Sequence, residues 1–240
     1  MRNRVLLLAL SSLMMLLCIT TSAQEEKKHE YVDLGLSVKW ATCNVGAANP
    51  EKAGGFFAWG ETEPITKQNI ENYKFCKGDH HSFTKYCTDK ENGYRRFSDN
   101  KTTLDLEDDV ANVMWGGDWR IPTADECQEL LDNCTGTLDS INGVRGVRFT
   151  SNVPGYTDCS IFLPAAGGDG ILIVGSDSKT GVTSYIGNYW SSSLDNDKSD
   201  IARGIGFVFS EGGFMPSKKP VAVICGSYRE ARHSVRPVCP

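Results

Sequence analysis

The sequence predicts an α+β fold, with two helices packed on antiparallel sheet. Three observations carry the prediction. Short β-type runs open the chain, two helical stretches lie between residues 105 and 134, and many short strand-like runs with turn residues between them follow Gly136. The runs differ from one another, so no solenoid or propeller repeat is expected.

Residues 31–45 predict two short strands, with Gly35 and Ser37 at the bend between them. Phe56-Phe57-Ala58-Trp59-Gly60 predicts another strand, ended by Glu61-Thr62-Glu63-Pro64. Residues 65–100 are polar and poor in periodic apolar positions, which predicts a long surface excursion held by a staple or required by function. The first helix is expected to begin near Asp105. Val110, Val113 and Met114 recur at i, i+3, i+4, Glu107, Asp108 and Asp109 occupy its positive end, and Gly116-Gly117 stops it. The second helix is better specified. Thr123 and Glu126 form a capping box, and Cys127, Leu130, Leu131 and Cys134 line one apolar face. Strands are then expected at 147–149, 160–163, 171–174, 189–191, 202–209 and 221–224, joined in a single continuous antiparallel sheet.

Arg2 and Arg4, an apolar stretch over 5–19 and Thr21-Ser22-Ala23 predict a secretion signal at 1–23. The stretch is shorter than the roughly 20 apolar residues that span a bilayer, so no membrane span is expected once the signal is removed. Residues 24–29, with Lys27, Lys28 and His29, read as a flexible solvated leader, and 30–240 as one domain. The formal charge is -5, and losing Arg2 and Arg4 moves it to about -7. An acidic chain without a clustered basic face excludes nucleic acid as the expected partner.

Nine cysteines are present, and an exported chain permits disulfides. Cys127 and Cys134 are expected on the second helix, seven residues apart. Their Cα atoms would lie about 10 Å apart, beyond the ~7 Å reach of a bridge, and that pairing is excluded. The expected local bridge is Cys76 to Cys87, closing the loop over 77–86 and contributing roughly 3 kcal/mol.

Several motifs in order carry a family likeness. They are Tyr31-Val32-Asp33-Leu34-Gly35-Leu36-Ser37-Val38-Lys39-Trp40-Ala41-Thr42-Cys43, Ala58-Trp59-Gly60-Glu61-Thr62-Glu63-Pro64, Trp119-Arg120-Ile121-Pro122-Thr123, Ile161-Phe162-Leu163-Pro164-Ala165-Ala166-Gly167, Tyr189-Trp190-Ser191-Ser192-Ser193 and Ser234-Val235-Arg236-Pro237-Val238. The chain resembles the Fibrobacter succinogenes major paralogous domain group and the related Lcl C-terminal domain family of exported bacterial proteins. That resemblance implies a fold similar to C-type lectins and formylglycine-generating enzymes, with the chain ends brought into one sheet. It also implies surface or secreted proteins, some of them adhesins for sugars or host matrix. The Glu-Pro-Asn and Trp-Asn-Asp patterns of calcium-dependent lectins are missing, as is the paired-cysteine signature of the formylglycine enzymes, so neither chemistry carries over.

Candidate chemistry divides as follows. Asp195-Asn196-Asp197-Lys198-Ser199-Asp200 crowds oxygen ligands of the kind Ca²⁺ takes, but lacks the Gly and Glu of an EF-hand loop and reads as a solvated turn. Asp169 between glycines, with Asp158 and Asp177 nearby in sequence, could extend such a site. No cofactor and no metal site is expected, Ca²⁺ being the one candidate. His80-His81 beside Asp79 needs further ligands to hold a metal. His233-Ser234 invites a hydrolase reading that no Gly-x-Ser-x-Gly elbow supports. Glu61 beside Trp59 pairs a carboxylate with a ring that could stack on a sugar, against the alternative that Trp59 is core and Glu61 a strand cap. Tyr189, Trp190, Asp195, Arg203 and Tyr228 complete the candidate ligand surface, with Arg120 and Arg236 read as structural ties.

The expected function is therefore a secreted or surface-exposed, non-catalytic module binding a glycan or an extracellular matrix polymer. A structural component of the bacterial surface and a glycan-active enzyme are the alternatives. The expected location is extracellular, cell-surface or periplasmic.

Overall fold

A computed structural model describes residues 29–67, 69–167, 173–177, 182–212 and 219–240. The expected signal, the leader up to residue 28 and Asp169 lie outside them. Among the described residues no helix is long and apolar enough to cross a membrane.

The elements in chain order are β1 (Tyr31–Val32), β2 (Lys39–Ala41), α1 (Val110–Trp115), α2 (Ala124–Asn133), β3 (Cys134–Ile141), β4 (Val144–Ser151) and β5 (Ser160–Pro164). Then follow β6 (Ile173–Asp177), β7 (Val182–Leu194), β8 (Ile201–Glu211), β9 (Val221–Tyr228) and β10 (Val238–Cys239). This is the α+β layout, but the sheet is not continuous. The strands form three antiparallel sheets, ordered β1-β2-β10, β3-β4-β5 and β6-β7-β8-β9. Trp40 pairs with Val32 on one side and Val238 on the other, so both ends of the described chain meet in one sheet.

The strands absent from the sequence-based expectation have a local cause. β3 turns into β4 through Asn142 and Gly143, whose φ angles of 51° and 80° suit a tight hairpin. Cys134, expected on the second helix, caps α2 in extended conformation and begins β3. Phe57 makes only an isolated bridge to His233, so the strand expected at 56–60 is a turn-bound segment.

The second helix begins as predicted. Thr123 Oγ1 accepts from the Glu126 N–H at 3.2 Å, and Glu126 accepts from the Thr123 N–H at 2.7 Å. Arg120 grips the same carboxylate at 2.5 and 2.7 Å. The first helix is shorter than expected. A 3₁₀ turn over Leu106–Asp108 precedes it, and Asp109 caps it by accepting from the Ala111 and Asn112 N–H groups. Val113 and Met114 are exposed, Val110 and Ala111 are buried, and Trp115 packs half-buried against the same hydrophobic cluster. About a turn and a half of helix is held by its cap, not by an apolar stripe. His29, expected in a solvated leader, stacks on Trp115 with ring centroids 3.6 Å apart.

Two hydrophobic clusters pack against the longest sheet. Trp59, Phe75, Tyr86, Trp190 and Ala202 belong to one, and Trp40, Leu130, Phe149, Tyr189 and Phe207 to the other. Tyr189 and Trp190 are neighbours on β7, and adjacent strand residues point to opposite faces. β7 and β8 therefore supply side chains to both clusters. Gly187 leaves room for the Phe207 ring, since a Cβ there would sit 2.2 Å from the ring's Cζ.

Segment 65–100 is not a surface excursion. Tyr73, Phe75, Phe83 and Tyr86 are buried, and they gather around Arg229 from the end of β9. The guanidinium lies 4.4 Å from the Phe83 ring centre, 5.1 Å from Trp59 and 5.2 Å from Tyr73. It donates to the Tyr73 hydroxyl and to the carbonyls of Lys85, Tyr86 and Ser199, at 3.0 to 3.1 Å. A planar, weakly hydrated cation satisfied by carbonyls and stacked among rings is stable in such a place. The polar composition of the segment hid this because its aromatics follow no helical or strand period.

Candidate functional site

Three of the aromatics expected at a ligand surface lie inside the protein. Trp59 is fully buried and donates its indole N–H to the Ser191 carbonyl at 2.9 Å. Trp190 is buried and donates to the Phe57 carbonyl at 2.7 Å. Tyr189 donates to the Pro164 carbonyl at 2.6 Å, and burial pushes its phenol up to about 12. These residues hold the fold and present no ring to solvent.

The polar candidates fare differently. Asp195 is half-buried and accepts from the Asp197 N–H at 3.1 Å, a local turn contact. The neighbouring Ser199 is buried and accepts from the N–H groups of Thr88 and Asp89, so the expected Ca²⁺ loop packs against segment 65–100. Arg203 is half-buried on β8, and its carbonyl accepts from the Ser191 hydroxyl. Tyr228 is half-exposed at the end of β9, and its ring centre lies 4.8 Å from that of His80.

Glu61 lines a cavity of about 380 Å³ together with Ile65, Asn69, Asn72, Tyr73 and Glu230. The walls are fixed by backbone pairing. The Trp59 N–H donates to the Arg229 carbonyl at 2.8 Å, which sets residues 59–61 beside 229–230, and the Ile65 N–H donates to the Phe56 carbonyl at 2.9 Å. Gly60, at φ 79°, makes the turn between them, and a Cβ there would meet Phe75 at 2.6 Å. Glu61 accepts from the Lys74 N–H at 2.9 Å. Asn69 caps the following 3₁₀ turn by accepting from the Glu71 N–H. The Tyr73 hydroxyl faces inward, donating to the Trp59 carbonyl at 2.6 Å.

Glu230 is the unusual wall residue. Its side chain is 6% exposed, and Oε1 lies 3.5 Å from Nε2 of His80. Its Oε2 is enclosed and has no hydrogen-bond partner among the described residues, and the same holds for Nδ1 of His80. A buried carboxylate one donor short is costly unless something completes it. Sequence reasoning missed Glu230 and Arg229. Their only local signal is a charged pair at the end of an apolar strand, and apart from Ser199 the partners named for them lie over a hundred residues away.

Among the described residues the other clusters carry no comparable site. Asp105, Glu107 and Asp108 converge, but Nζ of Lys85 already sits among them at 2.8, 2.9 and 2.6 Å. Lys74 and Lys101 add further contacts at 2.6 Å, and Asp105 is held down at about 2 by Lys101 and Lys85. His80 and His81 diverge, His80 to Glu230 and His81 to Asn92. Buried His233 packs on Trp190, while the Ser234 hydroxyl donates to the Ala53 carbonyl, so the two form no dyad.

The expected Cys76–Cys87 bridge is not formed. All eight described cysteines are free thiols. Cys76 donates to the Ile70 carbonyl and Cys87 to the Asp89 carbonyl, each at 3.0 Å, and the loop is closed instead by backbone pairing of Cys76 with Phe83. Burial pushes both thiols above the ordinary range, which makes them packing groups and not nucleophiles. Arg120 and Arg236 are structural, as expected. Arg236 is buried and donates to the carbonyls of Ala41, Thr42 and Phe162 and to Asn44.

No family model, curated protein or solved structure matches this chain. The family likeness rests on its motifs alone.

Proposed function

We propose that this chain is an exported, non-catalytic binding module of the lectin-like kind, taking a carbohydrate or another extracellular macromolecule at the Glu61–Glu230 cavity. One observation carries the reading. A cavity of about 380 Å³, walled by two carboxylates and two carboxamides, has the size and hydrogen-bonding character of a small-ligand site. The half-exposed Tyr228 ring stands beside it through His80 and offers a sugar-stacking face in place of the buried tryptophans. Support for export comes from the apolar, basic-flanked start of the sequence.

A second reading, a glycan-active enzyme, is favoured by the two glutamates in one cavity. An array of glycans and matrix polymers probed with the full chain separates the two. Saturable binding without turnover, weakened at least about tenfold by Asn72→Ala, supports the module. Turnover abolished by Glu61→Gln establishes the enzyme. Binding indifferent to Asn72, Glu61 and Glu230 removes the cavity from either role.

A further inference from the structure

We infer that the group the cavity selects is a primary ammonium carried on a sugar, so that the ligand is an amino sugar recognised by Glu230. This rests on the binding reading above and names its ligand class. Glu230 is buried in the cavity wall, and among the described residues its one ionic partner is His80, at 3.5 Å and charged only when protonated. Its second oxygen is enclosed and has no hydrogen-bond partner among the described residues.

The cations that surround this wall are committed elsewhere. Nζ of Lys74 pairs with Asp108 at 2.6 Å, Nζ of Lys85 with three carboxylates, and the Arg229 fork with carbonyls and a hydroxyl. Arg232 donates to the Thr66 carbonyl. Lys67 is the exception among the described residues: it is exposed and lines the same cavity. The cavity wall thus holds a buried carboxylate, Glu230, and a second carboxylate, Glu61. An ammonium supplies the charge and the missing donor together, which a hydroxyl or an acetamide does not. The carboxamides of Asn69 and Asn72 suit the hydroxyls of a sugar ring. A lysine side chain offers the same ammonium but no hydroxyls for them.

The test titrates the full chain, by calorimetry at one pH, with tetramers of glucosamine and of N-acetylglucosamine and with Nα-acetyl-lysine amide. The glucosamine tetramer is expected to bind at least about tenfold tighter than the acetylated one, to weaken with added salt, and to lose its advantage in Glu230→Gln. That variant should remain folded, since it removes a buried charge. Equal affinity for the two tetramers, or a preference that survives Glu230→Gln, overturns the ammonium assignment while leaving the binding module standing. Tighter binding of the lysine amide overturns the sugar. Failure of every tetramer to bind overturns the amino-sugar assignment, while the module reading falls only if the array of glycans and matrix polymers is silent too.

Discussion

Trp59 and Trp190 exchange hydrogen bonds between two distant segments. The indole of Trp59 donates to the carbonyl that follows Trp190, at 2.9 Å, while the indole of Trp190 donates to the Phe57 carbonyl at 2.7 Å. The crossed pair fastens residues 57–59 to β7, and that fastening places Gly60 and Glu61 at the cavity wall. Residues that look like a sugar platform in the sequence are the frame behind it.

Trp190→Ala is therefore expected to cost about 3 to 5 kcal/mol of stability. Trp190→Phe, which leaves the Phe57 carbonyl only the His233 N–H at 3.2 Å, should cost about 0.5 to 1.5 kcal/mol. Denaturant unfolding measures both. A Trp190→Ala protein of unchanged midpoint that had lost ligand would return this residue to the binding surface.

Arg229→Lys should not substitute for arginine. An ammonium cannot serve four acceptors spread across a plane, so about 3 kcal/mol is expected to be lost. Hydrogen exchange should show residues 65–100 losing protection first, because their rings pack around that guanidinium. Uniform loss of protection over the whole chain would contradict this role.

Two carboxylates give opposite pH dependences. Burial raises Asp109 to about 6, against the pull of the Ile121, Asn112 and Ala111 N–H groups. Its native state binds the proton more tightly than the unfolded chain, so its contribution falls as pH rises from about 4 to about 6. Asp105, held at about 2, contributes stability above the ordinary carboxyl range and loses it as pH falls towards 2. In melting temperature against pH, Asp109→Asn should flatten the fall between about 4 and 6, and Asp105→Asn the acid limb. Parallel curves for wild type and both variants would contradict the assignment.

Alkylation without reductant, after unfolding, is expected to label both Cys76 and Cys87, since each thiol faces its own carbonyl. In the native protein these two and Cys127 should react slowly, being buried with raised thiol pKa. A disulfide-linked peptide joining Cys76 and Cys87 would restore the staple.

Features governed by local chemistry were legible in the sequence. The Thr123–Glu126 box, the Gly116 stop and the positions of β4, β5, β8 and β9 follow from spacing and turn residues. By contrast, β7 extends from Val182 to Leu194, beyond the expected 189–191, and β10 is not among the expected strands. What composition hid was long-range. Phe75, Phe83 and Tyr86 have no period because Arg229 organises them, and Glu230 gains its meaning only where the fold sets it in one cavity wall with Glu61. β3 was concealed by a helix-like apolar spacing that runs through Cys134, although Asn142-Gly143 marked the hairpin.

The central claim, that ligand enters between Glu61 and Glu230, is tested most directly by mapping amide shifts in two-dimensional NMR during titration with the glucosamine tetramer. The account predicts saturable shifts at Glu61, Asn72, His80 and Glu230, with the 195–200 turn unmoved. Shifts confined to that turn or to β9, with the cavity amides silent, would contradict it.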